Sequence, residues 1–125
     1  MSAEETLSPG GSTLAGAWSN TNPAPKLIRR VVFSKAGDSL ALRVSSTGAF
    51  GPKEWGTAPA FAFCEPPQFS EATAFTAKLM GEGLTGRIQA YVVKGVLVII
   101  SLTRFSHGAE TRAVFMKEFF YRESQ

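Results

Sequence analysis

The chain of 125 residues is 44% hydrophobic and 18% charged, an ordinary globular composition that excludes a wholly disordered protein and leaves room for one compact domain. Its net charge of +3 comes from thirteen basic and ten acidic residues, and Arg29-Arg30 is the only adjacent basic pair. Because such scattered charge offers no stripe that could follow a phosphate backbone, a nucleic-acid partner is not expected.

The first thirteen residues, "MSAEETLSPGGST", have little to bury and predict a flexible N-terminal tail. Their acidic residues and the lack of an apolar centre do not fit a secretory signal peptide, which is compatible with a cytoplasmic location. The most apolar run, Val92 to Leu102, contains Lys94 and is shorter than the roughly 20 residues of a membrane helix. Membrane insertion is therefore not expected.

The residue pattern predicts a single all-β domain at 14–122, followed by a short C-terminal tail at 123–125. β-Branched and aromatic residues recur in short runs separated by Gly, Pro, Asn or Asp, and no long segment repeats with a helical period. Eight strands are predicted, at 14–20, 26–34, 39–45, 55–63, 72–80, 84–93, 96–105 and 111–122.

Short turns between these segments predict antiparallel pairing of successive strands. Eight such strands either close on themselves or leave two exposed edges, and closure removes the edges. The sequence therefore favours an eight-stranded antiparallel up-and-down β-barrel.

The last strand is apolar on both of its faces. Alternation places Val114, Met116, Glu118 and Phe120 on one side and Phe115, Phe119 and Tyr121 on the other, together with smaller or charged neighbours. A strand of this kind predicts that its outer side is also covered, by the N-terminal tail or by a second subunit in a homodimer.

The Gly-x-Trp-x-Asn run in "GAWSNTNPAP", residues 16–25, resembles the opening strand of the calycin barrels, the avidins and lipocalins. Together with "WGTAPA" at 55–60 and "LTRFSHGAETRAVFMKEFFYR" at 102–122, it is similar to a bacterial β-barrel domain family of no known activity. The resemblance implies a calycin-like fold, and the candidate site residues that match its motifs are Trp18, Asn20, Arg30, Trp55, Thr103, Phe105 and Glu118.

The resemblance to avidins does not extend to biotin. Asn20 matches an asparagine that touches biotin in avidins, but the several tryptophans that close that pocket have no counterparts, since Trp18 and Trp55 are the only two. We expect Trp18 to close one end of the barrel and Asn20 to pair with backbone.

Arg30 and Glu118 are the most informative charged residues, because each lies among apolar neighbours on its own strand. If both point inward they should pair, since an unpaired buried charge costs several kcal/mol. Such a pair could be a structural salt bridge or a polar anchor for a ligand, and an outward-facing pair is the third alternative. Trp55, at a strand start beside a flexible loop, either lines a pocket mouth with Phe50 or covers the core.

No catalytic or metal-binding motif stands out. His107 is the only histidine and falls in a predicted hairpin turn, and a single cysteine supplies neither a disulfide nor a recognisable ligand set. No metal or cofactor is therefore expected.

Three functions remain open from the sequence. The first is a non-catalytic binding module that holds a small, mainly apolar ligand at the open end of the barrel. The second is a structural or protein-interaction module with a filled barrel, monomeric or dimeric, that works through its outer surface. The third is a cavity enzyme such as an isomerase or cyclase, for which no particular residue argues.

Overall fold

The computed structural model describes residues 14–37, 39–64 and 72–123. The predicted N-terminal tail and residues 124–125 lie outside these ranges. Eight strands are present: β1 (Gly16–Asn20), β2 (Ile28–Ala36), β3 (Ser39–Ser46), β4 (Glu54–Cys64), β5 (Ala72–Gly81), β6 (Leu84–Val93), β7 (Val96–His107) and β8 (Glu110–Arg122).

The strands form one closed barrel in sequence order, which confirms the predicted fold. Each strand pairs antiparallel with its neighbours in the chain, and β8 pairs antiparallel with β1 to close the wall. The β1–β2, β3–β4, β5–β6 and β7–β8 connections lie at one end, here called the loop end. The start of β1 and the end of β8 lie at the opposite end, here called the terminal end.

The ladders between described residues contain three register shifts, one in β2, one near the start of β4 and one at its end between Phe63 and Cys64. The first two are β-bulges that interrupt the alternation of inward and outward side chains. In β2 the register shifts between Ile28 and Arg30, so that Ile28 and Val31, three positions apart, are both fully buried. In β4 the shift lies opposite Arg43 and Ser45, and Gly56 there has a φ of +85°, which glycine adopts at little cost. Each bulge inserts one residue and thereby turns the following side chains to the other face.

Side chains fill the interior of the barrel. Buried apolar residues from all eight strands form one cluster, with Phe33, Leu42, Leu97 and Phe120 among its fully buried members. A gap near Phe33, Leu42 and Ile88 holds no water-sized volume. Eight strands are just wide enough for such a packed core, and this barrel uses that width for its own side chains.

Close packing between β6 and β7 yields a test of this core. A Cβ atom on Gly86 would lie 2.4 Å from Cγ2 of the buried Thr103, whereas a Cβ on Gly81 would meet nothing within 4 Å. Gly86→Ala should therefore lower the free energy of unfolding by about 1–3 kcal/mol, the usual cost of overpacking, as measured by urea denaturation.

Gly81→Ala is the matched control, and it should leave stability unchanged or raise it by up to about 1 kcal/mol. Thr103→Ser removes the clashing methyl group, so it should recover most of the loss when combined with Gly86→Ala. Equal effects of the two glycine substitutions would contradict this account of the packing.

Candidate functional site

The candidate residues do not form one site. The structure brings together Asn20 with Glu118 and Trp55 with Phe105, and it leaves Trp18, Arg30 and Thr103 in separate surroundings. Most of them are buried and bonded to other parts of the chain, so their contacts are best described group by group.

Glu118 is a buried carboxylate bound to the start of β2. Its side chain points inward from β8 and is 7% exposed. Oε2 accepts hydrogen bonds from Asn20 Nδ2 at 3.1 Å and from the Leu27 N–H at 3.2 Å, and Oε1 accepts from the Ile28 N–H at 3.2 Å. The carboxylate thus links β8 to the β1–β2 connection at a place where no backbone pairing joins the two segments.

Asn20 completes this cluster from the end of β1. Its Nδ2 also donates to the Ile28 carbonyl at 2.7 Å, and its Oδ1 accepts from the Asn22 N–H at 2.8 Å. Asn20 therefore uses both ends of its amide within the chain, and its main contacts shape the turn after β1.

Burial raises the pKa of the Glu118 carboxyl above its ordinary value, because loss of water disfavours the charged form. The hydrogen bonds from Ile28, Leu27 and Asn20 oppose that rise without cancelling it. The group is therefore a polar element of the core whose charge costs free energy.

Arg30 does not meet Glu118, so these two residues form neither an inward nor an outward pair. The bulge after Ile28 turns Arg30 to the outer face, where its Nε lies 2.7 Å from Oε2 of Glu123. Ser19 Oγ donates to the same carboxylate, and both contacts lower the pKa of Glu123 to about 2. The predicted C-terminal tail thus begins with an anchored residue, whose N–H also donates to the Ala17 carbonyl at 2.9 Å.

Trp18 lies at the terminal end and is 2% exposed. Its indole N–H donates to the Leu14 carbonyl at 3.1 Å, and the Arg122 guanidinium lies 4.5 Å from the centre of its ring. Leu14 and Arg122 therefore cover the outer surface of the tryptophan, so that these contacts hold it as part of the core.

Trp55 and Phe105 close the loop end from inside. Their ring centroids are 5.7 Å apart and both are buried, so Trp55 covers the core. The β3–β4 loop packs directly over them, because a Cβ on Gly51 would lie 2.5 Å from the Phe105 ring. Phe50 stacks on the outside of Phe105 at 6.2 Å and stays 39% exposed.

A cleft of about 480 Å³ opens beside this aromatic stack at the loop end. It is lined by the loop Gly48–Pro52 and by the turns at Glu82–Gly83 and Ser106–His107. His107 does lie at a hairpin tip, as the sequence suggests, but it faces this cleft. The cleft combines one aromatic face with several hydrogen-bonding groups, so it is more polar than small-molecule sites usually are.

Sequence reasoning missed the groups that complete these clusters. The N–H groups of Leu27 and Ile28 leave no trace in residue type, and Glu123 looks like part of a tail. At the loop end, Gly51 was a signal for the packing of the β3–β4 loop on Phe105, since glycine between Phe50 and Pro52 allows the backbone to approach another group closely.

The part of the chain that the structure covers contains neither a candidate metal site nor a candidate membrane-crossing helix. Within 14–37, 39–64 and 72–123 no three His, Cys, Asp or Glu side chains are grouped so that they could hold a metal ion. The same residues contain no helix of the length and hydrophobicity needed to cross a membrane.

Comparison of the chain with protein-family models, with curated proteins and with solved structures found no match. The barrel and its surfaces are therefore what indicates the function of this protein.

The raised pKa of Glu118 predicts how stability changes with pH. The folded state binds this proton more tightly than the unfolded state does, so the free energy of unfolding should fall as pH rises from about 4.5 through the raised value. Glu118→Gln keeps an acceptor for Asn20 and Leu27 but cannot ionise. Urea denaturation between pH 4 and pH 8 should show the wild type losing stability relative to this variant, and parallel profiles would contradict the assignment.

Proposed function

We propose that the protein is an interaction module with a filled barrel, which binds a macromolecular partner through the outer face of its wall. The observation that carries this proposal is the contrast between a packed interior and a strongly apolar exterior. A barrel that contains a ligand needs room inside, whereas this one buries its own Phe33, Phe75 and Phe120 there.

In the part of the chain that the structure describes, the apolar exterior lies on β4–β8, here called the apolar wall. Among the described residues, the exposed large apolar side chains on strands all belong to β4–β8, and they are Phe61, Phe63, Met80, Val92, Val93, Leu102, Phe115, Phe119 and Tyr121. Monomeric soluble proteins seldom leave large apolar areas in water unless a partner covers them. This asymmetry favours one binding wall over a uniformly inert surface.

The outer face of β7 and β8 is the centre of this wall. Cross-strand partners there are Val98 with Phe119 and Leu102 with Phe115, and the Ile100–Lys117 pair lies between them. Val98 is only 4% exposed, so the exposed apolar side chains of these pairs are Phe119, Leu102 and Phe115. Phe115 is 66% exposed and Leu102 49% exposed, so within the β7–β8 hairpin this exposed apolar pair lies toward the loop end. The Gly-x-Trp-x-Asn run leads us to propose in addition that the barrel is related to the calycin-like barrels. Such a relationship is compatible with binding through the outer face.

A second candidate function has its own observation. The cleft of about 480 Å³ at the loop end falls within the range of small-ligand sites, and Phe50 gives it an exposed aromatic face. A ligand there would lie outside the barrel, in contact with Phe50, Ser106 and His107.

Site-specific photo-crosslinking tests the interaction module. Phe115→p-benzoylphenylalanine keeps an aromatic side chain at the exposed position, and Ser34→p-benzoylphenylalanine places the same group on β2, outside the apolar wall. Irradiation of cells that express each variant should give a covalent adduct of discrete mass, the protein plus its partner, from the Phe115 variant and not from the Ser34 variant. Equal adducts from both positions, or none from Phe115, would overturn the proposal.

Native mass spectrometry tests the second candidate. A ligand in the loop-end cleft should appear as an added mass that is lost under denaturing conditions and is reduced about tenfold in occupancy by Phe50→Ala, which removes the stacking face. Phe61→Ala, an exposed aromatic on β4, is the matched control and should retain the added mass. A bare protein, or equal loss in both variants, would exclude this use of the cleft.

A further inference from the structure

The barrel closes along only a short part of its longest strand. β8 has thirteen residues, whereas β1 has five and pairs with β8 at Trp18–Arg122, Ser19–Tyr121 and Asn20–Phe120. One further backbone bond, from the Thr21 N–H to the Phe119 carbonyl, ends the contact. Among the described residues, β8 from Glu110 to Glu118 pairs with β7 alone, so its other edge is open.

The open edge presents regularly spaced backbone groups. The Phe119 carbonyl faces β1, and in an antiparallel ladder the N–H and C=O of every second residue face the same side. Lys117, Phe115 and Ala113 therefore direct their N–H and C=O groups away from β7. Such an edge is a template for one more strand.

The side chains along the edge define the chemistry of that strand. On the outer face Phe115 is apolar and Lys117 is basic, and on the inner face Val114 and Met116 are half-buried beside the exposed Arg112. A groove of about 200 Å³ lies on this hairpin, between Leu102–Arg104 and Ala113–Phe115. An added strand would thus meet apolar groups at its centre and a cation near each end.

The outer face around the open edge carries several basic side chains in the described part of the chain. Lys78, Arg87, Arg104 and Lys117 occupy outward positions on β5–β8, all are exposed, and none forms an ion pair with a described residue. Lys78 and Arg87 are direct cross-strand partners, an arrangement that is unfavourable without an anion nearby. A second copy of the same basic wall is therefore a poor occupant.

We propose that the open edge of β8 binds an extended acidic segment of a partner protein as a ninth strand, with acidic residues flanking an apolar centre. The proposal rests on the interaction module proposed above and assigns its site and partner chemistry. Backbone hydrogen bonds to Ala113, Phe115 and Lys117 supply the pairing, and Lys117 and Arg112 select the acidic ends.

The test uses the full chain and a fluorescein-labelled peptide, Glu-Val-Thr-Val-Val-Glu, followed by fluorescence anisotropy. Two control peptides replace both Glu by Lys or the central Thr by Pro, which removes one N–H and its strand bond. The acidic peptide should bind, and each control should bind about tenfold or more weakly. Equal binding of the Pro peptide would overturn strand addition, and equal binding of the Lys peptide would overturn the acidic partner.

Chain variants locate the site. Ala113→Pro removes an N–H that faces the open edge and leaves the ladder with β7 intact, and Lys117→Glu reverses the selecting charge. Each should weaken binding about tenfold, while Lys35→Glu, an exposed lysine on β2, should not change it. Amide hydrogen exchange should slow at Ala113, Phe115 and Lys117 when the acidic peptide is bound.

Three outcomes would overturn the proposal even if Ala113→Pro failed to fold. These are binding that Lys117→Glu leaves unchanged, no binding of the acidic peptide, and a dimer in sedimentation in which amide hydrogen exchange is slow at Ala113, Phe115 and Lys117 without any peptide. A crosslink at Phe115 without peptide binding would remove strand addition and leave the interaction module standing. Absence of the crosslink would remove the interaction module itself.

Discussion

β1 supplies five residues to the barrel wall and β8 supplies thirteen, so backbone pairing alone closes the barrel over a short distance. Glu118 continues the closure beyond that point, because its carboxylate receives the N–H groups of Leu27 and Ile28. A charged group with two oxygens can serve several donors that no neighbouring strand reaches. The position of the β1–β2 connection, and with it the packing of Leu27 and Ile28 into the core, depends on this one carboxylate.

Most of the fold could be predicted from local pattern. Turn residues and alternating side chains located eight strands to within a few residues, and the hairpin connections implied their order. The assignment of faces held where alternation is unbroken, as in β8, where Glu118 and Phe120 point inward and Phe115 and Phe119 point outward. Period-two logic is reliable there because the ladder with β7 runs without a shift from Val96 to His107.

The candidate site was harder to predict, since the two bulges reverse the faces that alternation assigns. Arg30 lies outward because one extra residue precedes it in β2. Trp55 lies inward because one extra residue follows it in β4. A glycine such as Gly56 hints at a bulge, but Arg29 carries no comparable signal. Backbone donors such as the Ile28 N–H are likewise independent of residue type, so no pattern in the sequence could have placed them beside Glu118.

The closing seam also joins the two ends of the chain. Ser19 and Glu123, which bond across it, are 104 positions apart, whereas every other ladder links consecutive strands. Closing a loop of this length costs more conformational entropy than closing a hairpin, so contacts across the seam should form more slowly than hairpin contacts. The successive hairpins can therefore assemble before the ring is complete. From this connectivity we expect a curled meander of successive hairpins, β1 included, to form first and the β1–β8 seam to close last.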